Sequence, residues 1–377
     1  MSHWDTWTAD QLARVRSEGR WRKLTAYDGA DVNGRVNGRD IVTFASNDYL
    51  GLANHPQVRA AAHAAIDRWG TGATASRLIV GTRPVHLELE AEIAQWKQTE
   101  RALVFPNGFG ANMSVLATLG VAGTIFSDAL NHASIIDGCR LAAASVKVYR
   151  HGDVGHLEDL LLSAVGPKIV VTDSVFSMDG DLAPLPEIAA LCVRHDALLV
   201  VDEAHAVFGT DLPALPGLQL LRVGTLSKML GSLGGWVAGS ASMIDLLINR
   251  GRAFIFTTGL SPADAAAGLA ALGIYRSEEG EALRQRMRQL VDQLIVGHPS
   301  PIIPLILGEE AVAVAAAQSL LEAGLWVPAI RPPTVPVGTA RLRIALSTAH
   351  TDAMVQRLKT ALFEQLPGSC GFLHAIR

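Results

Sequence analysis

Ala197-Leu-Leu-Val-Val-Asp-Glu-Ala-His205 sets five apolar residues in a row and follows them directly with two carboxylates and, after one alanine, an imidazole. A continuous apolar run of this length fits a strand buried on both faces, as in a parallel sheet covered by helices. The same grammar recurs around it. Residues 102–105, 168–172, 221–225 and 235–239 are short apolar runs that end in polar or glycine turns. Helical patterns over 157–165 and 185–195 fall between them, and that alternation predicts a parallel sheet with right-handed crossovers. Ligands of such sheets sit at the carboxyl ends of the strands, so Asp202 and His205 stand at the ligand-binding edge.

Working outward, Leu89, Ile93 and Trp96 recur at helical spacing, so 84–98 reads as a helix with Pro84 in its first turn. Thr8 and Gln11 resemble a capping box, which predicts a short N-terminal helix. Past Tyr275 the pattern changes to a charged helix over 277–293, a helix over 309–323, and strands near 325–330 and 340–346, a second unit of α+β type. The fold class expected is therefore α/β, a large domain with a mostly parallel sheet plus a smaller C-terminal α+β domain. Its division would be 1–45 as an N-terminal helix and strand segment, 46–275 as the large domain and 276–377 as the C-terminal domain, in keeping with ~150 residues per domain.

Composition narrows the function. With 49% hydrophobic and 18% charged residues the chain can bury a core. The 32 Lys plus Arg against 36 Asp plus Glu offer no positive field for nucleic acid or anionic lipid. Cys139, Cys192 and Cys370 form no CxxC pair, which argues against a disulfide framework and a zinc site and for a reducing compartment. No basic segment followed by an apolar stretch opens the chain, and 102–127 is broken by Pro106, Gly108 and Gly110. The expectation is a soluble, cytoplasmic protein with no membrane partner.

Six lysines stand against 26 arginines, and one of them, Lys228 in Gly224-Thr-Leu-Ser-Lys-Met-Leu-Gly231, is the only charge between Val223 and Ile244. Most strand-end lysines reach solvent; one in so apolar a tract could instead give up its proton and bond an aldehyde. Asp-Glu-Ala-His also spells a helicase box, but no lysine follows a glycine here, so the phosphate loop is missing. Metal ligation by Asp202 and His205 lacks further ligands at suitable spacing. Pro106-Asn-Gly-Phe-Gly-Ala-Asn112 follows a strand and opens a helical stretch, an arrangement that binds phosphate through free N–H groups. Asn131-His-Ala-Ser134 places another histidine after 124–127, where a surface loop is the ordinary reading. A lysine, a carboxylate, a phosphate-binding turn and a ring partner together match the needs of pyridoxal phosphate (PLP).

Those segments, with Ser46-Asn-Asp-Tyr-Leu-Gly51, Val175-Phe-Ser-Met-Asp-Gly-Asp181, Arg331-Pro-Pro-Thr-Val-Pro336 and Thr339-Ala-Arg-Leu-Arg343, run in an order that resembles the α-oxoamine synthases, fold-type-I PLP enzymes, over nearly the whole chain. The resemblance implies that Lys228 bonds the cofactor aldehyde and later moves the substrate's α-proton, that Asp202 pairs with the ring nitrogen, and that His132 stacks on the ring. It further implies His205 at the phenolic oxygen, and Ser177 and Thr225 with the amides of Gly108 and Phe109 around the cofactor, chiefly its phosphate. Arg343 would hold the amino-acid carboxylate. Asn47, His132, Thr334 and an N-terminal arginine, Arg22 rather than Arg20, would contact substrate. Phe256-Thr-Thr258 matches a segment that reaches the partner subunit's phosphate, so a homodimer with Thr258 at the shared site is implied. The wording at 330–336 is nearest the branch that condenses L-alanine with pimeloyl-CoA or pimeloyl acyl carrier protein in biotin synthesis; glycine C-acetyltransferase is the alternative, and a non-catalytic subunit a remote one. Arg341 and Arg343 share one strand face, and Arg341 is expected to be solvated. Residues 209–217 are shorter than the usual family stretch.

Overall fold

The structure is a computed structural model that describes residues 1–365; Cys370 and the tail 368–374, whose role the sequence leaves open, lie outside the described residues. The apolar runs pair into a seven-stranded sheet in the order Arg101–Phe105, Gly235–Gly239, Gln219–Thr225, Ala197–Asp202, Lys168–Asp173, Thr124–Asp128, Ser145–Tyr149. Side chains alternate between two buried faces. Ile169, Val171, Val200 and Val223 pack under the helices Gly108–Leu119 and Ala133–Leu141. Val170, Leu199 and Val201 pack under Val154–Leu162 and Leu185–Arg194. Burial on both sides is why these strands read as unbroken apolar runs.

The sheet is parallel except at Gly235–Gly239, which runs antiparallel to both neighbours. Only residues 226–234 join it to the strand before, too few for a crossover. The edge strand Ser145–Tyr149 escapes sequence reading because Val146 and Val148 are exposed and the run alternates with polar residues.

Helices follow their expected spans closely, as Pro84–Lys97, Glu278–Leu294 and Glu310–Glu322 illustrate. The N-terminal helix differs: it spans His3–Ser17 and its capping box is Ser2 with Asp5, not Thr8 with Gln11. Thr8 lies inside the helix, where its hydroxyl donates to the carbonyls of Trp4 and Asp5. At the other end of the chain, Ile302–Gly308, Ala340–Ala345 and Ala329–Ile330 form one small antiparallel sheet. Leu325–Trp326 joins the hairpin Asn33–Val36 and Arg39–Thr43 in another, so the opening segment is tied to the C-terminal unit by hydrogen bonds.

Arg341 is a correction. It is buried rather than solvated, donates to the Met178 carbonyl and pairs with Asp179, which stitches the small sheet to the large domain. Gly180 in the same segment has φ +70°, and a Cβ there would lie 2.1 Å from the Ile302 carbonyl oxygen. Only glycine fits both constraints.

Candidate active site

Three carboxyl-terminal strand ends and two helix starts converge on a cavity of about 230 Å³ lined by Gly108, Phe109, His132, Asp202, His205, Thr225 and Lys228. The helix Gly108–Leu119 points its first turn at it, capped by Asn107, whose side chain accepts from Gly110 N at 2.7 Å. Gly235 lets this turn come close: a Cβ at 235 would sit 2.4 Å from the Asn107 carbonyl oxygen. Thr225 and Ser227 add hydroxyls 2.7 Å apart beside that helix start.

Lys228 is nearly enclosed, with its Nζ 2.9 Å from His205 Nε2. Burial pushes its pKa below the ordinary lysine value, opposed by Asp202 and Asp173. His205 is fully buried, and that burial, followed by the charges of Lys228 and Arg343, holds its pKa well below the usual range and leaves the imidazole neutral. Its Nδ1 lies 2.6 Å from the Tyr49 hydroxyl, which also donates to Asn47 Oδ1 at 3.0 Å. Arg343 Nη2 donates to the same Asn47 oxygen at 3.2 Å, and Arg343 Nε to the Ser177 carbonyl at 2.5 Å. A hydrogen-bonded chain thus runs from Arg343 through Asn47, Tyr49 and His205 to Lys228.

Asp202 is held on both oxygens, by Ala204 N at 2.9 Å and by Asn112 Nδ2 at 2.6 Å. Asn112 also donates to Ser134 Oγ at 2.9 Å, which lies 2.8 Å from His132 Nδ1. His132 N donates to Asp173 Oδ2 at 2.8 Å. Burial, then the neighbouring Asp202 charge, raises the Asp173 pKa well above the carboxylate range. Burial also lowers that of His132.

Of the residues singled out from sequence, the strand-end and helix-start groups share this cavity, while Asn47, Ser177 and Arg343 adjoin it through the hydrogen-bonded chain. Arg22 and Thr334 line a different and larger cavity of about 780 Å³ beneath the N-terminal helix, with Leu12, Val15, Trp21 and Arg331. Thr258 is exposed and lines neither. Sequence reasoning did not single out Asn112, Tyr49, Ser134 and Asp173. Asp173 was findable, because its apolar strand ends in a carboxylate as the Asp202 strand does and the two residues stand opposite each other in the ladder.

The donor set fits PLP. A nearly enclosed amine, a carboxylate anchored by one donor on each oxygen and a glycine-floored helix start with two hydroxyls surround one space, and a Cβ at Gly108 would already lie 3.4 Å from the Thr225 Cβ. The Aminotransferase class I and II family model matches residues 39–362. Fold and site together define a fold-type-I PLP-dependent transferase. An 8-amino-7-oxononanoate synthase of Geobacter sulfurreducens is 43% identical over 379 residues, spanning 94% of this chain and 96% of its own. One of Anaeromyxobacter dehalogenans (strain 2CP-1) is 46% identical over 380 residues, spanning 96% of each. Among solved structures, an SPT with its PLP internal aldimine is similar at TM-score 0.87 and 28% identity, covering 97% of this chain and 99% of that one. The chain belongs to the 8-amino-7-oxononanoate synthase family.

Proposed function

We propose that the protein condenses L-alanine with a pimeloyl thioester, on coenzyme A or acyl carrier protein, to give 8-amino-7-oxononanoate, carbon dioxide and the free thiol carrier in biotin synthesis. The observation that carries this reading is the approach of Lys228 Nζ to His205 Nε2 at 2.9 Å inside the cavity that Asp202 lines. Bound PLP supplies an electron sink at the amino-acid α-carbon, which makes loss of a proton or of carbon dioxide there accessible.

The chain's own residues do the rest. Lys228 would hold the cofactor through its amine, and because burial weakens its grip on its own proton, a free Nζ would stand unprotonated as the base for the alanine α-proton. Asp202, its oxygens fixed by Asn112 and Ala204, would be the carboxylate partner of the ring nitrogen. The helix start at Gly108, with Phe109 N–H, Thr225 and Ser227, takes the phosphate. His132 would cover the ring and His205 would address its phenolic oxygen. Arg343 and Asn47, already joined at 3.2 Å, receive the alanine carboxylate. Arg22 and Thr334 serve the acyl substrate, in a cavity whose apolar lining of Leu12, Val15 and Trp21 suits a methylene chain and whose arginines suit its anionic ends.

Phe256, 71% exposed, and Thr258 lie on a segment tied to Ala75 by the Gly259 N–H at 2.9 Å, beside exposed Leu78, Ile79 and Val80. That apolar surface supports a homodimer with sites at the interface. No helix among the described residues is long and apolar enough to cross a membrane, and a cytoplasmic location accords with the buried free thiols of Cys139 and Cys192.

Thiol release by the PLP-loaded protein tests the reading. L-alanine with pimeloyl-CoA or the pimeloyl carrier protein should give the faster turnover. A faster reaction of glycine with acetyl-CoA would assign the protein to glycine C-acetyltransferase activity instead, and no thiol release with any pair would leave a non-catalytic subunit.

A further inference from the structure

Asp202 has a neighbour to which the proposed reaction gives no part. Glu203 is 2% exposed and does not line the Lys228 cavity. Its carboxylate lies 2.5 Å from Lys97 Nζ, in the last turn of the helix Pro84–Lys97. It also pairs with Arg222, from the strand Gln219–Thr225. Thr210 completes the group, donating to Glu203 Oε1 at 3.3 Å and accepting from Arg222 Nη1 at 3.2 Å. Lys97 Nζ stands 3.4 Å from the centre of the Trp96 ring and 5.1 Å from that of Trp236. Burial alone would push the Glu203 carboxyl up, but Lys97 and Arg222 outweigh it and leave the group ionised below its ordinary value.

The main chain joins this cluster to the site. Glu203 N donates to the Val223 carbonyl at 2.7 Å and its own carbonyl accepts from Ala206 N at 3.0 Å. The next residue, Ala204, supplies the N–H that holds Asp202 Oδ1. A helix, a strand and the loop at Thr210 therefore converge on the one residue between Asp202 and the amide that aims it. A buried ion cluster adds little net stability, because desolvation offsets its Coulomb energy. What such a cluster does supply is a fixed location.

We propose that Glu203 is a positioning residue, its bonds to Lys97 and Arg222 locking the turn from Asp202 to His205 from outside the cavity so that both side chains keep their aim at the bound cofactor. This rests on the reading of the Lys228 cavity as a PLP site, though not on the acyl substrate.

Glu203→Gln leaves two buried cations without a counter-charge and is expected to lower the melting temperature of the PLP-free protein. Glu203→Gln combined with Lys97→Met returns the cluster to its original net charge and leaves only Arg222 without its carboxylate, so much of the lost stability should return. The Kd for PLP should nevertheless stay raised about tenfold and kcat should fall by about tenfold or more with the KM for L-alanine within about twofold, as loss of an orienting group predicts. The visible circular dichroism of the bound cofactor, which reports how the ring is held, should weaken in the double variant. Recovery of PLP affinity, dichroism and kcat together with stability would overturn the proposal and leave Glu203 a counter-ion only. PLP affinity and dichroism are read without substrate. Failure of the proposed condensation in the wild-type protein is thus a separate result.

Discussion

Burial lowers the hold of Lys228 on its proton, while Asp202 and Asp173 keep the loss from going further. Borohydride treatment of the PLP-loaded protein should therefore fix the cofactor's mass to the peptide that contains Lys228. In Lys228→Ala the label should be absent and turnover should drop by a factor on the order of 10³ or more. His151 offers a test of electrostatics away from the site. Hydrogen bonds first to Asp128 and then to Asp181, at 3.0 and 2.8 Å, raise its pKa to about 10 against a partial burial penalty. A raised folded value means the contribution to stability is whole below the unfolded value near ~6.5 and is lost as pH climbs through the folded one. The melting-temperature gap between wild type and His151→Gln should be widest near pH 6 and close toward pH 10; a gap that grew with pH would contradict the ion-pair assignment. The shared location of Lys228, Asp202 and His205 was legible because each follows the end of an apolar run. Arg341 was misread for a related reason: alternation shows that two side chains share a face, and nothing in it reveals that Asp179 lies opposite.

At the scale of elements, the helix start at Gly108, to which the phosphate is assigned in the proposed function, depends on a strand that runs the other way. Gly235 opens that antiparallel strand, and its missing side chain lets the Asn107–Gly108 turn approach; the Gly108 nitrogen would be 2.6 Å from a Cβ there. Gly235→Ala must push backbone against backbone, so it should cost about 1–3 kcal/mol of stability. Because the displaced backbone is the turn proposed to bind the phosphate, PLP affinity should weaken in parallel, measurable by titration of the PLP-free protein. An unchanged Kd would mean the turn does not carry the phosphate. Strands buried on both faces were readable from their unbroken apolar runs. The antiparallel strand and the half-exposed edge strand Ser145–Tyr149 were not, since direction and edge position depend on connection length and on neighbours.

Across the whole molecule, the segment 175–181 links the seven-stranded sheet to the small C-terminal sheet: Asp179 pairs with Arg341, the Ser177 carbonyl accepts from Arg343, and the Gly180 carbonyl accepts from Ser300 Oγ at 2.7 Å. The C-terminal strand thereby delivers Arg343 to the Asn47 chain. The exposed apolar surface at 78–80 and Phe256 belongs to the same scale. Phe256→Glu should place a charge in the proposed dimer contact and shift sedimentation toward a monomer, with activity falling in step. An unchanged sedimentation coefficient with full activity would place the contact elsewhere.

Local sequence by itself determined the parallel core, the order of elements and the strand-end residues, because strand burial and helical periodicity are written in the residues that make them. The assembly of the site was decided only by tertiary structure. Arg343 and Asn47 are far apart in the chain yet 3.2 Å apart in space, and Asn112 reaches Asp202 from another element. Such contacts depend on how separate elements pack, and no local pattern records that distance.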